Sequence, residues 1–167
     1  RSLILVGIDI IENSRIAKLL KFESRFLNKV LHETEIKTLS EYTLDKKRVQ
    51  FIASRWALKE SLVKATKNKY IVFNKVYLNK LNDEYCLKIE KHDTNLLNKH
   101  EYLDSNSDQK DLIEERIKDI NSNIIVEKYN EINHIVDEIN KGKRMFMCSV
   151  SHEENYSTAI VINTILI

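Results

Sequence analysis

The chain has 167 residues, of which 43% are hydrophobic and 31% charged, and its formal net charge is +2. This is the composition of a single soluble globular domain with enough chain for a core. The near-neutral balance excludes a bulk electrostatic attraction to nucleic acid or to a membrane surface. Cys86 and Cys148 form no CxxC pair and no zinc-ligand spacing, and read as reduced thiols. With Gly 2 and Pro 0, turns must rely on Asn, Asp and Ser. The longest apolar run, Leu3 to Ile8, is far too short to span a bilayer. The richness in Lys, Asn and Ile points to an AT-rich genome. The chain opens on Arg1, which leaves room for a leader ahead of it.

Leu3 to Ile8 is β-branched and apolar and predicts a buried strand with Asp9 at its C-terminal end. Asn13 or Ser14 is placed to cap a short helix carrying Arg15. Phe22 to Leu31 and Thr34 to Tyr42 predict two more short helices. The clearest element is a helix over Lys46 to Lys67, rich in Ala, Leu, Lys and Glu and free of Gly and Pro. Wound as a helix, it gathers Ile52, Val63, Trp56, Val49, Ala53 and Ala57 on one apolar arc, with Glu60 in the middle of the arc and Lys64 on its flank. Tyr70 to Leu81 and Glu84 to Glu90 predict a hairpin turning at Asn82-Asp83. Lys91 to about Asn123 reads as a polar insertion with one helix over Asp108 to Ile120. A further helix is expected over Tyr129 to Lys141, capped by Gly142. Met145 to Val150 and Ser157 to Ile165 predict the last two strands, joined through Ser151 to Tyr156. The fold class is α+β: a small antiparallel sheet packed on one long helix, with short N-terminal helices, in one domain over 1–167 and an insertion at about 91–141.

Asp9 is either a turn or capping carboxylate or a ligand-binding one, since burial at a strand end is costly without a partner. Glu60, inside an apolar arc, is either an ion-pair partner of Lys64 at i+4 or a metal ligand or general base. Two carboxylates from separate elements, with Arg55, Lys59 and Lys64 near Glu60 and Lys46 to Arg48 ahead of it, match what Mg²⁺ and a phosphate ester require. His152 is a lone histidine in a strand connection. Nothing resembles a P-loop, a GxGxxG or a GxSxG motif.

Three stretches together resemble the holo-acyl-carrier-protein synthase family of phosphopantetheinyl transferases. They are Gly7 to Glu12 with Arg15-Ile16, then Phe51 to Ala65 with its R-W-A-x-K-E-S-x-x-K-A core, and Val150-Ser151-His152 followed by Tyr156 to Val161. Arg25-Phe26 and Leu31 to Glu35 add to the match. The resemblance implies transfer of 4′-phosphopantetheine from coenzyme A to a serine of an acyl carrier protein, with adenosine 3′,5′-bisphosphate leaving. It implies that Asp9 and Glu60 hold Mg²⁺, that Arg55, Lys64 and His152 contact the coenzyme A phosphates with Lys46 as a further candidate, and that Arg15 and Arg25 meet acidic residues of the carrier. It implies Glu35 as a base, with a metal-bound water as its rival, and a homotrimer with active sites between subunits. A plastid organelle of a parasite or a bacterial cytoplasm would suit such an enzyme. Thr66 to Tyr70 stands where the family carries a glycine-rich turn, and Lys29 where an arginine is common. Two other readings of the same residues are a different Mg²⁺-dependent phosphate-ester enzyme and a non-catalytic module binding an acidic partner.

Overall fold

A computed structural model describes residues 1–20, 23–81, 84–92 and 110–167. The elements run β1 (Ser2–Glu12), α1 (Asn13–Leu19), α2 (Glu23–Val30), α3 (Glu33–Ser40), α4 (Asp45–Thr66), β2 (Val76–Leu81), β3 (Glu84–Ile89), α5 (Lys110–Asn140), β4 (Arg144–His152) and β5 (Tyr156–Leu166). The class is the expected α+β. β1, β5 and β4 form an antiparallel sheet in the order β1-β5-β4, and β2 pairs with β3 in a separate hairpin. The register sets Gly7 opposite Val161, Asp9 opposite Ala159, and His152 opposite Ser157.

Several boundaries differ from the sequence reading. β1 continues past Ile8 to Glu12, so Asp9 lies within the strand and not at its end. The stretch from Tyr70 to Lys75 is a connection with a 3-10 turn at Phe73–Lys75, because β3 reaches back only to pair Ile89 with Val76. The expected turn at Asn82-Asp83, and Phe22 at the start of the second helix, lie outside the described residues. The two helices expected between Asp108 and Lys141 are one helix, α5. It ends where Gly142 takes φ +67° and the amides of Gly142 and Lys143 bond back to the carbonyls of Ile139 and Glu138. These two bonds form a Schellman motif, which satisfies carbonyls the helix leaves open. The stretch read as a polar insertion also feeds the core, since Ile132, Ile135 and Val136 of α5 are buried.

Helix α4 is the organising element, and only half of its predicted apolar arc, Ile52, Ala53 and Ala57, belongs to the buried face. The buried positions are Phe51, Ile52, Ala53, Ser54, Ala57, Leu58, Lys59, Ser61, Leu62 and Ala65, whereas Val49, Trp56, Glu60 and Val63 form the half-covered stripe. The helical wheel failed here because it treated serine and lysine as solvent-seeking. Ser61 instead donates to the Ala159 carbonyl at 3.0 Å, Ser54 to the Gln50 carbonyl, and Lys59 to Glu35 and the Val30 carbonyl. A polar group that finds its partner inside can be buried at little cost.

Strand β1 turns Gly7, Asp9 and Ile11 toward α4 and leaves Ile4, Val6, Ile8 and Ile10 exposed on the other face. Gly7 lets the strand touch the helix. A Cβ at this position would collide with the Ser61 carbonyl and would lie 2.6 Å from the Ala65 amide nitrogen. Both obstacles are backbone atoms, so no rotamer change relieves them. Asn163 of β5 donates to the Ala65 carbonyl at 3.1 Å and fastens the same end of the helix to the central strand.

These contacts rank two glycine substitutions. At Gly142 a Cβ meets open space, and alanine costs only the left-handed backbone, about 1–2 kcal/mol. At Gly7, overpacking against backbone should reach or exceed the upper end of the usual range of about 1–3 kcal/mol. Urea denaturation of Gly7→Ala and Gly142→Ala should therefore show the larger loss for Gly7→Ala. The reverse order would mean that the strand and helix can separate at little cost.

Candidate active site

Asp9 and Lys64 meet where β1 crosses the C-terminal half of α4. The Lys64 ammonium lies 2.8 Å from Asp9 Oδ1 and donates to the Ile8 carbonyl at 2.9 Å. The Asp9 side chain is 17% exposed, against 49% for Lys64. Thr158 Oγ1 donates to the Asp9 carbonyl at 2.8 Å and holds the strand at this point. Glu60 is one turn ahead of Lys64 on the same face of α4. It is half-buried, and among the described residues its carboxylate has no hydrogen-bond or ion-pair partner. Asp9 thus offers hard oxygen donors beside the ammonium, and Glu60 adds a second carboxylate one turn earlier on the same helix.

Arg55 and His152 belong to a second location. They line a cavity of about 520 Å³ between the N-terminal half of α4 and β4, together with Lys47, Gln50, Phe51 and Tyr42. The cavity wall carries three cationic or protonatable groups, Lys47, Arg55 and His152, over an aromatic floor. Lys47, Phe51 and Arg55 recur every four residues and so share one helix face. Sequence reasoning named Lys46 in place of Lys47 because both sit in one charge run. Lys46 instead pairs with Glu154 at 2.8 Å on an exposed rim.

The third cluster lies behind that wall. Glu35 is 3% exposed, and its Oε2 accepts from Lys59 Nζ at 2.6 Å and from the His32 amide at 3.1 Å. Its other oxygen, Oε1, stands 3.2 Å from Arg55 Nε as an ion pair that is not aligned as a hydrogen bond. The His32 contact belongs to a capping box that starts α3. His32 Nε2 in turn lies 2.9 Å from Glu90, and its ring stacks on Tyr77. Glu35, expected as a base, is thus engaged from both oxygens by cations inside the protein. Arg55, 16% exposed and stacked on the Phe51 ring at 4.5 Å, faces the cavity from this support.

Arg15 on α1 and Arg25 on α2 are exposed, as a partner-facing role requires. Within the chain the expected residues therefore separate: Asp9, Glu60 and Lys64 stand at the β1–α4 crossing and Arg55 and His152 in the cavity, with Glu35 behind the cavity wall and Lys46 on the rim. Lys47 and Lys59 were named only as cations near the two carboxylates and given no role, and Gln50 was missed. Only the i, i+4 spacing of Lys47, Phe51 and Arg55 could have signalled the first.

A model of the family described as "4′-phosphopantetheinyl transferase superfamily" matches residues 5–110. The chain belongs to this transferase superfamily. The holo-[acyl-carrier-protein] synthase of Mycoplasma capricolum is 42% identical over 83 residues, which cover 50% of this chain and 70% of that protein. The synthase of Mycoplasma mycoides is 40% identical over 79 residues, covering 47% of this chain and 66% of that protein. In fold the chain resembles the Bacillus anthracis holo-(acyl-carrier-protein) synthase, whose structure is a complex with CoA (3′,5′-ADP). The TM-score is 0.61 at 18% identity, covering 98% of both chains. It also resembles the Plasmodium yoelii holo-ACP-synthase, with a TM-score of 0.62 at 16% identity, covering 98% of this chain and 97% of that one.

In this phosphopantetheinyl transferase the buried lysine gives a measurable pH signature. Burial pushes the Lys59 ammonium down from its ordinary 10.5 to about 8, and the Glu35 carboxylate opposes only part of that shift. Between about 8 and 10.5 the unfolded chain still holds the proton that the folded chain has released. The unfolded state then binds more protons, so Lys59's contribution to stability grows with pH across this window. The unfolding free energy of the parent, measured against Lys59→Met by urea denaturation, should move in the parent's favour from pH 8 to pH 10.5. A constant difference would show that Lys59 keeps its proton in the folded state.

Proposed function

We propose that the chain transfers 4′-phosphopantetheine from coenzyme A to a serine of an apo-acyl carrier protein, giving the holo-carrier and adenosine 3′,5′-bisphosphate. The observation that carries this reading is the pairing of Asp9 with Lys64 beside an unpartnered Glu60, in a chain of this transferase superfamily. Mg²⁺ is the cofactor that the donor set favours. Among the described residues no three His, Cys, Asp or Glu side chains converge on one point, so a metal that needs an all-protein cage has no site there. Mg²⁺ by contrast takes one or two carboxylates and completes its shell with water and substrate phosphate. Asp9 and Glu60 would hold it, and when bound it would offset charge on the pyrophosphate.

The protein's own groups then have distinct tasks. Lys64 supplies a positive charge beside the reacting phosphate while its bonds to Asp9 and the Ile8 carbonyl fix its direction. Arg55, Lys47 and His152 can hold the remaining phosphates in the cavity, where a guanidinium recognises two oxygens at once. The carrier serine hydroxyl attacks the β-phosphate and gives up its proton to water, the new ester O–P bond forms as the pyrophosphate P–O bond breaks, and the bisphosphate leaves from the opposite side. Catalysis of this kind is positioning plus charge neutralisation. Glu35 would have to leave the Lys59 ammonium before it could take the serine proton, so its geometry supports holding Arg55 more than acting as the base. Arg15 and Arg25 would face the acidic carrier.

A homotrimer with sites between subunits accounts for two features at once. One is the division of the site residues into two groups within a protomer. The other is the outer face of the sheet, where Ile4, Val6, Ile8 and Ile10 of β1 and Met145 and Met147 of β4 are exposed. Burying such a face against other copies removes apolar surface from water.

Incubating the protein with coenzyme A, Mg²⁺ and an apo-carrier should add one phosphopantetheine to the carrier, read by mass spectrometry. Asp9→Ala and Glu60→Ala should each lower the rate by about 100-fold or more while the fold is kept. Full activity in either variant would remove the metal assignment, and absence of the adduct with the parent protein would remove the function.

Light scattering of the parent should give the mass of three chains. Ile8→Glu sets a charge in the middle of the apolar face and should give monomers, since an unpaired buried charge is strongly unfavourable. A parent monomer, or a variant with unchanged mass, would overturn the trimer.

A further inference from the structure

Asn13 or Ser14 was expected to cap helix α1, and Asn13 makes no such bond. The residue preceding the helix is Glu12, which gives no side-chain cap. The Asn13 side chain points instead into the β4–β5 connection and is 5% exposed. Its Nδ2 donates to the carbonyls of Glu153 and Glu154, both at 3.0 Å, and its Oδ1 accepts from Ser157 Oγ at 2.8 Å. Its backbone amide donates to the Asn155 carbonyl at 2.7 Å.

These four bonds surround one residue. Glu153 and Glu154 directly follow His152, and Ser157 is the cross-strand partner of His152 in the β4–β5 ladder. Gln50 adds a bond from α4 to the same Glu153 carbonyl at 3.0 Å, and the Glu153 amide closes the turn onto the Tyr156 carbonyl at 2.8 Å. His152 itself is exposed, and no hydrogen bond or ion pair holds its ring among the described residues. The point from which the ring reaches the cavity is therefore set by the backbone beneath it, and that backbone is held from the side of α1 by Asn13. An apolar residue of the same volume at position 13 would leave the Glu154 carbonyl and the buried Ser157 hydroxyl without this partner, while the Glu153 carbonyl would keep Gln50, so the connection would lose its hold from α1.

We propose that Asn13 is a positioning residue for coenzyme A: it holds the Glu153–Asn155 connection so that His152 meets a phosphate in the cavity. The proposal rests on the reading of the cavity as the phosphate site. Asn13 has no contact with substrate in this reading and acts through His152. A residue acting only through another gives a specific pattern in a double-mutant cycle, because its effect vanishes once the second residue is gone.

The test uses coenzyme A itself, titrated by calorimetry into the parent, Asn13→Leu, His152→Ala and the double variant. Asn13→Leu should weaken coenzyme A binding by about 5- to 10-fold, the size of one ordinary hydrogen bond. In the His152→Ala background the same change should have less than about a twofold further effect. In parallel, the His152 ring proton signals should shift in Asn13→Leu, a readout that needs no ligand and no turnover. Ser157→Ala removes only the hydroxyl that orients the Asn13 amide, and should show the same shift with a smaller loss of affinity. It keeps the test open if Asn13→Leu fails to fold. Equal losses with and without His152, an unchanged affinity in folded Asn13→Leu, or unmoved His152 signals would each overturn the proposal. If the parent does not bind coenzyme A while the His152 signals still respond to Asn13→Leu, the reading of the cavity fails and the structural coupling stands.

Discussion

The approach of β1 to α4 at Gly7 sets the geometry of everything around it. Strand and helix backbones touch there, with no side chain between them. That closeness brings Asp9, two residues further along the strand, within reach of Lys64 on the helix. It also decides which face of the sheet is covered. Because side chains alternate along a strand, turning Gly7, Asp9 and Ile11 inward commits Ile4, Val6, Ile8 and Ile10 to the outside. One glycine contact thus places a carboxylate beside its cation and leaves an apolar face on the outside.

Another face of α4 depends on a buried polar cluster. Lys59 is wholly buried, and Glu35 and Arg55 flank it. Charges in such a place are tolerated only when paired and hydrogen-bonded. The Val30 carbonyl and the His32 amide complete the set of partners, and both come from the segment that joins α2 to α3. The cluster ties that segment to α4 and fixes the base of the Arg55 side chain, leaving its charged end toward the cavity. The lowered affinity of Lys59 for its proton follows from the same burial.

α5 shows how a stretch that looks like an insertion becomes part of the fold. Its later half sends Ile132, Ile135 and Val136 into the core, and Asn133 exchanges two hydrogen bonds with the backbone of His92. Asn68, just after α4, reaches toward Glu131, and the Lys128 ammonium sits 4.6 Å over the Tyr70 ring. The connection after α4 has Lys67 at φ 56°, a left-handed position that glycine would adopt more easily. Its packing against α5 gives that connection partners that a free turn would lack.

By itself the sequence determined the α+β class, the long helix, the first strand, the central hairpin, the last two strands and the residue types of the candidate site. These features are written in local periodicity and in the short runs around Asp9, Glu60 and His152, and they need no distant partner to be recognised. The tertiary structure decided which face of α4 is buried, because Ser54, Lys59 and Ser61 are hidden by partners as much as a hundred residues away. It decided that Asn13 serves the His152 connection and not its own helix, that Lys47 and not Lys46 lines the cavity, and that Glu35 holds Arg55. Each of these depends on where a polar group finds its hydrogen bond. A helical wheel or a strand pattern records hydrophobicity along the chain, and it contains no term for a bond made across it.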